Sequence, residues 1–363
     1  MYSTDQFRVF SGAPMDRLLS RPRRLLQEGR LAEAESGYQA LLASNPDLKQ
    51  VWIEYFELLR HGARHDDALA LSDRATSQFG DDALPAALKG AALVELGRYR
   101  DGLESLDHAA RLDPDLGLVW HEAGYAAFRI GELSRALMAL DRAFALEPHG
   151  GTLHLRGRVL RQAGRYLAAE VAFEGAAEAA EFPAQRALAR REIQRTRRYA
   201  AFPGFKPDTL PPARQWFAES GGVPLSGSQG TPATDHDLLR TFAQLAADLD
   251  WHFTALVALD GWDEWRELGA WLSIPVLPQP AEDASAIPLV AARAPGALAS
   301  WAALVDQPFT LGRGLSFALE LDRGAPAADV AGRLTGLAGS VEPALALETA
   351  QHPEGRLYTR TLR

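Results

Sequence analysis

The sequence predicts an all-α solenoid of stacked helical hairpins, followed by a C-terminal α/β domain with a mostly parallel sheet. Three observations predict it. One short residue pattern returns about every 34 positions through the first half of the 363-residue chain. Pro203, Pro207, Pro211 and Pro212 then crowd together and interrupt any helix. Beyond them, short β-rich runs alternate with helical stretches, the pattern of a sheet with helices on its faces. The implied division is an N-terminal extension at 1–14, about five hairpins at 15–182, a capping helix at 183–200, a linker at 201–213 and an α/β domain at 214–363.

The repeat is read from a segment that closes each hairpin. Gly29-Arg30-Leu31-Ala32-Glu33-Ala34 returns as Gly97-Arg98-Tyr99-Arg100-Asp101-Gly102 and as Gly131-Glu132-Leu133-Ser134-Arg135-Ala136. It returns again as Gly164-Arg165-Tyr166-Leu167-Ala168-Ala169, with a weaker copy at Ala63-Arg64-His65-Asp66-Asp67-Ala68. A second small residue follows seven positions later at Ala75, Ala109, Ala143 and Ala176, where the first copy has Leu41. Prolines end units at Pro46, Pro114 and Pro148; first helices carry Trp52 and Trp120, and small residues at Gly90, Gly124 and Gly157. Glycine before the second helix supplies the left-handed turn that stops the first, and proline cannot continue a helix. Small residues let two helices approach, and large ones fill the gaps between hairpins.

A stacked array needs a cap over its last apolar face. Pro183 to Ala200 reads as that helix, with Arg186, Arg190, Arg191, Arg195, Arg197 and Arg198 along it. Those arginines are either a docking surface for an acidic partner or nucleic acid, or a solvated face whose stems lie on apolar neighbours. The second reading is favoured.

These residues stand where the tetratricopeptide repeat (TPR) family has them, and the chain resembles that family over residues 15–181. The resemblance implies a superhelix whose concave groove is lined by set positions on each first helix. Here they are Glu54, Glu57 and Arg60, then Ala87, Ala91 and Glu95, then His121, Tyr125, Phe128 and Arg129, then His154, Arg158 and Arg161. The lysines and asparagines with which chaperone-binding members clamp a C-terminal carboxylate are missing from these places. Tyr125 and Phe128 offer rigid apolar area, and Arg129, Arg158 and Arg161 are suited to a carboxylate. The expectation is a protein or peptide partner with an acidic element near the fourth and fifth hairpins. The competing expectation is a polar inner wall, or one occupied by the chain's own C-terminal half.

Composition narrows the classes. A net charge of −9 argues against non-specific nucleic-acid binding, which needs a basic surface. No apolar run reaches the ~20 residues of a membrane span, and the N-terminus lacks a secretory pattern. Cysteine is absent, so no disulfide, thiolate metal site or cysteine nucleophile is expected; a reducing cytoplasm suits such a chain. Lysine occurs only at Lys49, Lys89 and Lys206 against abundant arginine and alanine, which points to a GC-rich bacterial genome.

In the C-terminal half, strands are expected at Val223–Ser226, Phe253–Leu259, Ile274–Leu277, Ile287–Ala291 and Leu315–Leu321, with two more at Ala344–Thr349 and Arg356–Thr361. Helices are expected at Asp237–Leu249, Asp263–Leu272, Ala297–Val305 and Ala327–Leu337. The Gly-rich stretch Ser226, Gly227, Ser228, Gln229, Gly230, Thr231 precedes a helix, as phosphate-binding loops do. It lacks the P-loop lysine and the three-glycine dinucleotide pattern, and a plain turn capped by Thr234 or Asp235 explains it better. Asp235-His236-Asp237 lacks a second histidine cluster, so no metal is expected and caps account for both aspartates. Asp260 and Trp262 follow a strand end, where ligand loops lie in parallel sheets, and Trp262 and Trp265 are the aromatics of interest among Trp251, Trp262, Trp265, Trp271 and Trp301. The run Phe253 to Asp260, a helix, and Leu272 to Leu277 resemble the strand–helix–strand core of phosphoribosyltransferase-like proteins. That resemblance places Ile287–Ala291 as the diphosphate strand, but Ala292, Arg293, Ala294 and Pro295 follow it instead of paired acids.

No nucleophile elbow, zinc helix or kinase signature is present, and no cofactor is expected. The reading is a non-catalytic scaffold or adaptor acting through the concave groove. The alternative is an enzyme or phosphate-binding regulator with its pocket around Ser226–Thr231 and Asp260–Trp265, the repeats recruiting substrate.

Overall fold

The structure, a computed structural model, describes residues 13–225, 233–279, 286–295, 301, 313–322, 328–335 and 343–357. It contains two compact units, one ending at Arg190 and one beginning at Arg191.

The first unit is five consecutive antiparallel hairpins. They are α1 (Ala13–Gln27) with α2 (Leu31–Ser44), α3 (Lys49–His61) with α4 (His65–Phe79), and α5 (Ala83–Glu95) with α6 (Tyr99–Leu112). Next come α7 (Gly117–Arg129) with α8 (Leu133–Leu146) and α9 (Gly150–Gln162) with α10 (Tyr166–Glu178). The turn residues Gly29, Gly97, Gly131 and Gly164 all sit at positive φ, and Ala63 in the weaker copy takes the same turn at φ 55°. Each hairpin closes on a small residue: a Cβ at Gly124 would lie 2.7 Å from Leu140 Cγ, and one at Gly157 2.8 Å from the Phe173 ring. The proline and tryptophan of the repeat act together. The Trp52 indole donates to the Pro46 carbonyl and the Trp120 indole to the Pro114 carbonyl, both at 2.8 Å, which ties each first helix to the turn before it. Ala34, Ala75, Ala109, Ala136 and Ala169 are fully buried between helices.

Helix α11 (Pro183–Ala200) begins in the first unit and ends in the second. The division falls inside it because its later residues pack on C-terminal elements: Arg198 is buried and Tyr199 Oη bonds Glu219. The proline-rich stretch also buries Phe202 and Leu210.

The second unit is built on a six-stranded, wholly parallel sheet in the order β1-β6-β5-β4-β2-β3. The strands are β1 (Val223–Pro224), β2 (Ala255–Ala258), β3 (Val276–Leu277), β4 (Pro288–Ala292), β5 (Leu315–Asp322) and β6 (Val330–Thr335). Helices α12 (Pro212–Ser220), α13 (Asp235–Asp248), α14 (Trp265–Trp271) and α15 (Pro343–Ala350) accompany it. Alternate residues of β5 face opposite cores. Leu315, Phe317 and Leu319 pack with Phe242 and Trp265, while Ala318 packs with Trp216 and Trp301. Burial on both faces is what an all-parallel sheet requires.

Two expected elements are exchanged in type. Residues 344–349, expected as a strand, lie in helix α15: alternating Ala and Leu mimic a strand period, but both are strong helix formers behind an N-terminal proline. Residues 330–335, expected inside a helix, form β6 between β5 and β1, and a Cβ at Gly332 would meet the Leu319 carbonyl at 2.6 Å. The expected strand at 356–361 begins in a turn at Arg356–Leu357, its remainder lying outside the described residues. The expected helix 297–305 also lies outside them except for Trp301, which is buried.

Candidate partner-binding groove

The i, i+3, i+4, i+7 face of α7 (Leu118, His121, Glu122, Tyr125) meets the matching face of α9 (Gly151, His154, Leu155, Arg158). Gln185, Leu188 and Ala189 of α11 form an end wall, and together they enclose a cavity of about 600 Å³. Capping the array therefore also makes a pocket of one end of the groove.

The opposite end is filled by charge. Arg60 on α3 reaches Glu57 at 3.5 Å, Glu95 on α5 at 3.2 Å and Glu122 on α7 at 3.1 Å. Burial alone would lower the Arg60 pKa, but Glu122, Glu57 and Glu95 together outweigh it and raise it. Burial pushes the Glu57 carboxyl up; Arg60 and His61 pull it back only in part, and Glu122 and Glu95 add to the rise. Glu54 likewise faces inward, accepting from Arg23 at 2.6 Å and Tyr38 at 3.0 Å. Ala87 and Ala91 are buried against neighbouring helices.

The expected groove residues thus separate. Glu57, Arg60 and Glu95 belong to the ion-pair strap. Arg60 and Glu95 also border the cavity, together with His121, Tyr125, His154 and Arg158. His121 Nδ1 lies 3.0 Å from Thr152 Oγ1, and burial lowers its pKa. Phe128 supports Arg158, whose guanidinium lies 5.3 Å above its ring. Arg129 turns away, bonding Tyr125 Oη at 2.7 Å and covering the Tyr99 ring at 4.5 Å. Arg161 covers Phe173 at 5.5 Å. No carboxylate lies within 4 Å of Arg158 among the described residues, so it is the cavity-lining arginine whose charge is uncommitted.

Sequence reasoning misses Glu122, His149, Thr152, Gln185 and Leu188 as lining residues. Glu122 sits one turn before Tyr125 on a face already identified, so helical spacing is the available signal for it, whereas Gln185 and Leu188 belong to the capping helix, on which no groove position is expected. His149 also caps α9, accepting from Gly151 N at 3.0 Å.

In the second unit, Asp260 follows β2 at the point where the chain goes first to β3 and then back across to β4, the place where parallel sheets open a crevice. Its two oxygens accept from Trp265 Nε1 at 2.6 Å and from Arg293 N at 2.5 Å. Arg293 lies 5.4 Å over the Trp262 ring and pairs with Asp235 at 3.1 Å; Arg333 pairs with Asp235 at 3.1 Å and also with Glu320. Asp235, Glu320, Arg293 and Arg333 are thus linked in one ion-pair chain, and Asp260 is held by Trp265 and the Arg293 backbone. Asp235 is therefore an ion-pair partner rather than a cap; Thr234 is the N-cap, in a reciprocal box with Asp237. Trp265 is fully buried. Ser226, Ser228, Gln229 and Thr231 lie outside the described residues.

Hairpin geometry defines the architecture: the first unit is a superhelical array of tetratricopeptide-like helical hairpins, and the chain continues into a unit with a parallel sheet. No family model matches the chain, and no curated protein matches it. Several solved TPR structures are similar to its first half. TTC0263 of Thermus thermophilus, a thermophilic TPR protein, is 18% identical with TM-score 0.44, covering 49% of this chain and 98% of that one. PilW, a type IV pilus biogenesis factor, is 19% identical with TM-score 0.45, covering 53% and 89%. YrrB, a TPR protein with an unusual peptide-binding site, is 15% identical with TM-score 0.35, covering 48% and 90%. These likenesses are to the repeat architecture and bring no functional argument with them. No helix of the described residues is long and apolar enough to cross a membrane.

Proposed function

We propose that the chain is a scaffold that holds a protein partner by seating one of its segments in the cavity between α7, α9 and α11. The observation that carries this is the pairing in one pocket of an uncommitted cation, Arg158, with an apolar wall whose Leu188 is 48% exposed. An arginine pre-oriented on an aromatic ring loses little freedom when it binds a carboxylate. Arg158 is thus the receptor for an acidic residue of the partner segment, and Leu188 and Leu155 face an apolar one. The strap at Arg60 confines the site to the fourth and fifth hairpins. A cytoplasmic setting accords with the absence of cysteine.

The test is selection of a phage-displayed random dodecapeptide library on the full chain, followed by binding of the enriched peptides to Arg158→Glu and Leu188→Asp variants. Each variant should weaken binding at least tenfold. Unchanged binding to both discards the proposal.

A further inference from the structure

The cavity that the proposal makes the partner site carries more acid than base, and the excess has no internal partner. Glu95, Glu122, Glu147 and Glu181 line it against Arg60 and Arg158. Arg60 is already shared among three carboxylates, counting Glu57 behind the wall. Outside that strap, Arg158 is the one other arginine of the lining, and no described Lys or Arg nitrogen lies within 4 Å of the Glu147 or Glu181 carboxylate. Both stand at the C-terminal ends of second helices. Glu147 is the residue that ends α8, and Glu181 follows α10. The carbonyl end of one helix and the amide end of the next, α9 after Glu147 and α11 after Glu181, offset each other there, so the excess is that of the side chains themselves. Arg186, the nearby cation, is spent on the Ala177 and Ala180 carbonyls at 3.4 and 3.2 Å.

We infer that the seated segment is basic on balance: lysine or arginine side chains face Glu147 and Glu181, and a single acidic residue meets Arg158. The inference rests on the cavity being the partner site. A neutral or acidic segment would leave the rim carboxylates facing like charge or none, whereas a basic one gains two pairs. Exposed pairs of this kind are each worth up to about fivefold in affinity and weaken with salt.

The deciding experiment uses the peptides enriched from the dodecapeptide library. The whole chain is acidic at −9, so a basic bias among enriched peptides is necessary but does not suffice. Fluorescein-labelled peptides are therefore titrated against the full chain and against a Glu147→Gln/Glu181→Gln variant, whose two changes lie on exposed side chains. Peptides richer in Lys and Arg than in Asp and Glu, binding the double variant about tenfold more weakly and losing the difference in high salt, support the inference. Acidic or uncharged peptides, or basic ones indifferent to the double variant, overturn it. If those peptides still respond to Arg158→Glu, the partner site itself stands. If no selected peptide responds to any of these changes, both readings fall.

Discussion

Arg60 and Glu122 are 62 positions apart in sequence, on the second and fourth hairpins, and their side chains meet at 3.1 Å. The contact passes Glu95 of the third hairpin, which Arg60 also reaches, so one guanidinium fastens the inner helices of three hairpins. Both partners are largely buried, with side-chain exposures of 14% and 8%. Removing one partner of a buried pair leaves its counter-charge stranded. Arg60→Met is expected to destabilise the repeat by about 3 kcal/mol, read as a fall in the denaturant midpoint. Arg60→Met combined with Glu122→Gln should lose less than the sum of the two single changes, and simple additivity would show that the strap is not a unit.

Glu57 gives the same strap a pH dependence. Its folded pKa is raised above the ordinary 4.5, first by burial and then by Glu122 and Glu95, with Arg60 and His61 opposing. A carboxyl that holds its proton more tightly when folded favours the native state most below 4.5, and that advantage is lost as pH rises through the raised value. Glu57→Gln should therefore stabilise the protein at neutral pH and flatten the stability profile just above pH 4.5. A variant that tracks the wild type from pH 4 to 7 would contradict this account.

Ala63 occupies the left-handed turn that glycine fills at four other copies, with φ 55° against 74°, 75°, 84° and 75°. A Cβ in that conformation costs about 1 kcal/mol, partly offset by the greater freedom glycine has when unfolded. Ala63→Gly is expected to raise stability by about 0.5 kcal/mol, a shift of roughly 1–2 °C in Tm for a unit of this size.

That alanine also shows why the repeat is legible in the sequence. Position 63 is forced into one backbone conformation by the hairpin around it, so even a copy without glycine keeps its register. The closing residues at 34, 68, 102, 136 and 169 are small because two helices touch there, a local requirement that every copy must repeat. The strap is illegible for the opposite reason. Arg60 looks like a groove cation until its partners, 35 and 62 positions onward, fold beside it, and no spacing rule announces them. In the sheet, β6 reads as helix because Ala, Arg and Leu around Gly332 suit one, while the decisive factor is the Leu319 carbonyl 2.6 Å from where a Cβ would stand. Arg198 reads as one arginine of a solvated face, although it is 7% exposed.

Arg198 carries the last prediction. Its guanidinium donates to the carbonyls of Ala218 at 2.9 Å, Glu219 at 3.2 Å and Glu354 at 3.0 Å. Two of those carbonyls belong to the last turn of α12, where helical partners run out. The third lies in the turn after α15, so one side chain joins the end of α11 to two other elements of the second unit. Burial pushes its pKa down to about 10, with the Arg195 and Arg356 charges adding to the fall, so the site tolerates the charge only because the three acceptors hold it. Arg198→Met should fill the space while leaving those carbonyls without donors, costing about 2–4 kcal/mol. Arg198→Lys should recover part of that, since one ammonium cannot repeat the fork geometry. The measurement is amide hydrogen exchange. Loss of protection should centre on the last turn of α12 and on residues 352–355, while the hairpins from α1 to α8 keep theirs. Uniform loss throughout the chain, or full recovery by lysine, would refute a role for the guanidinium fork.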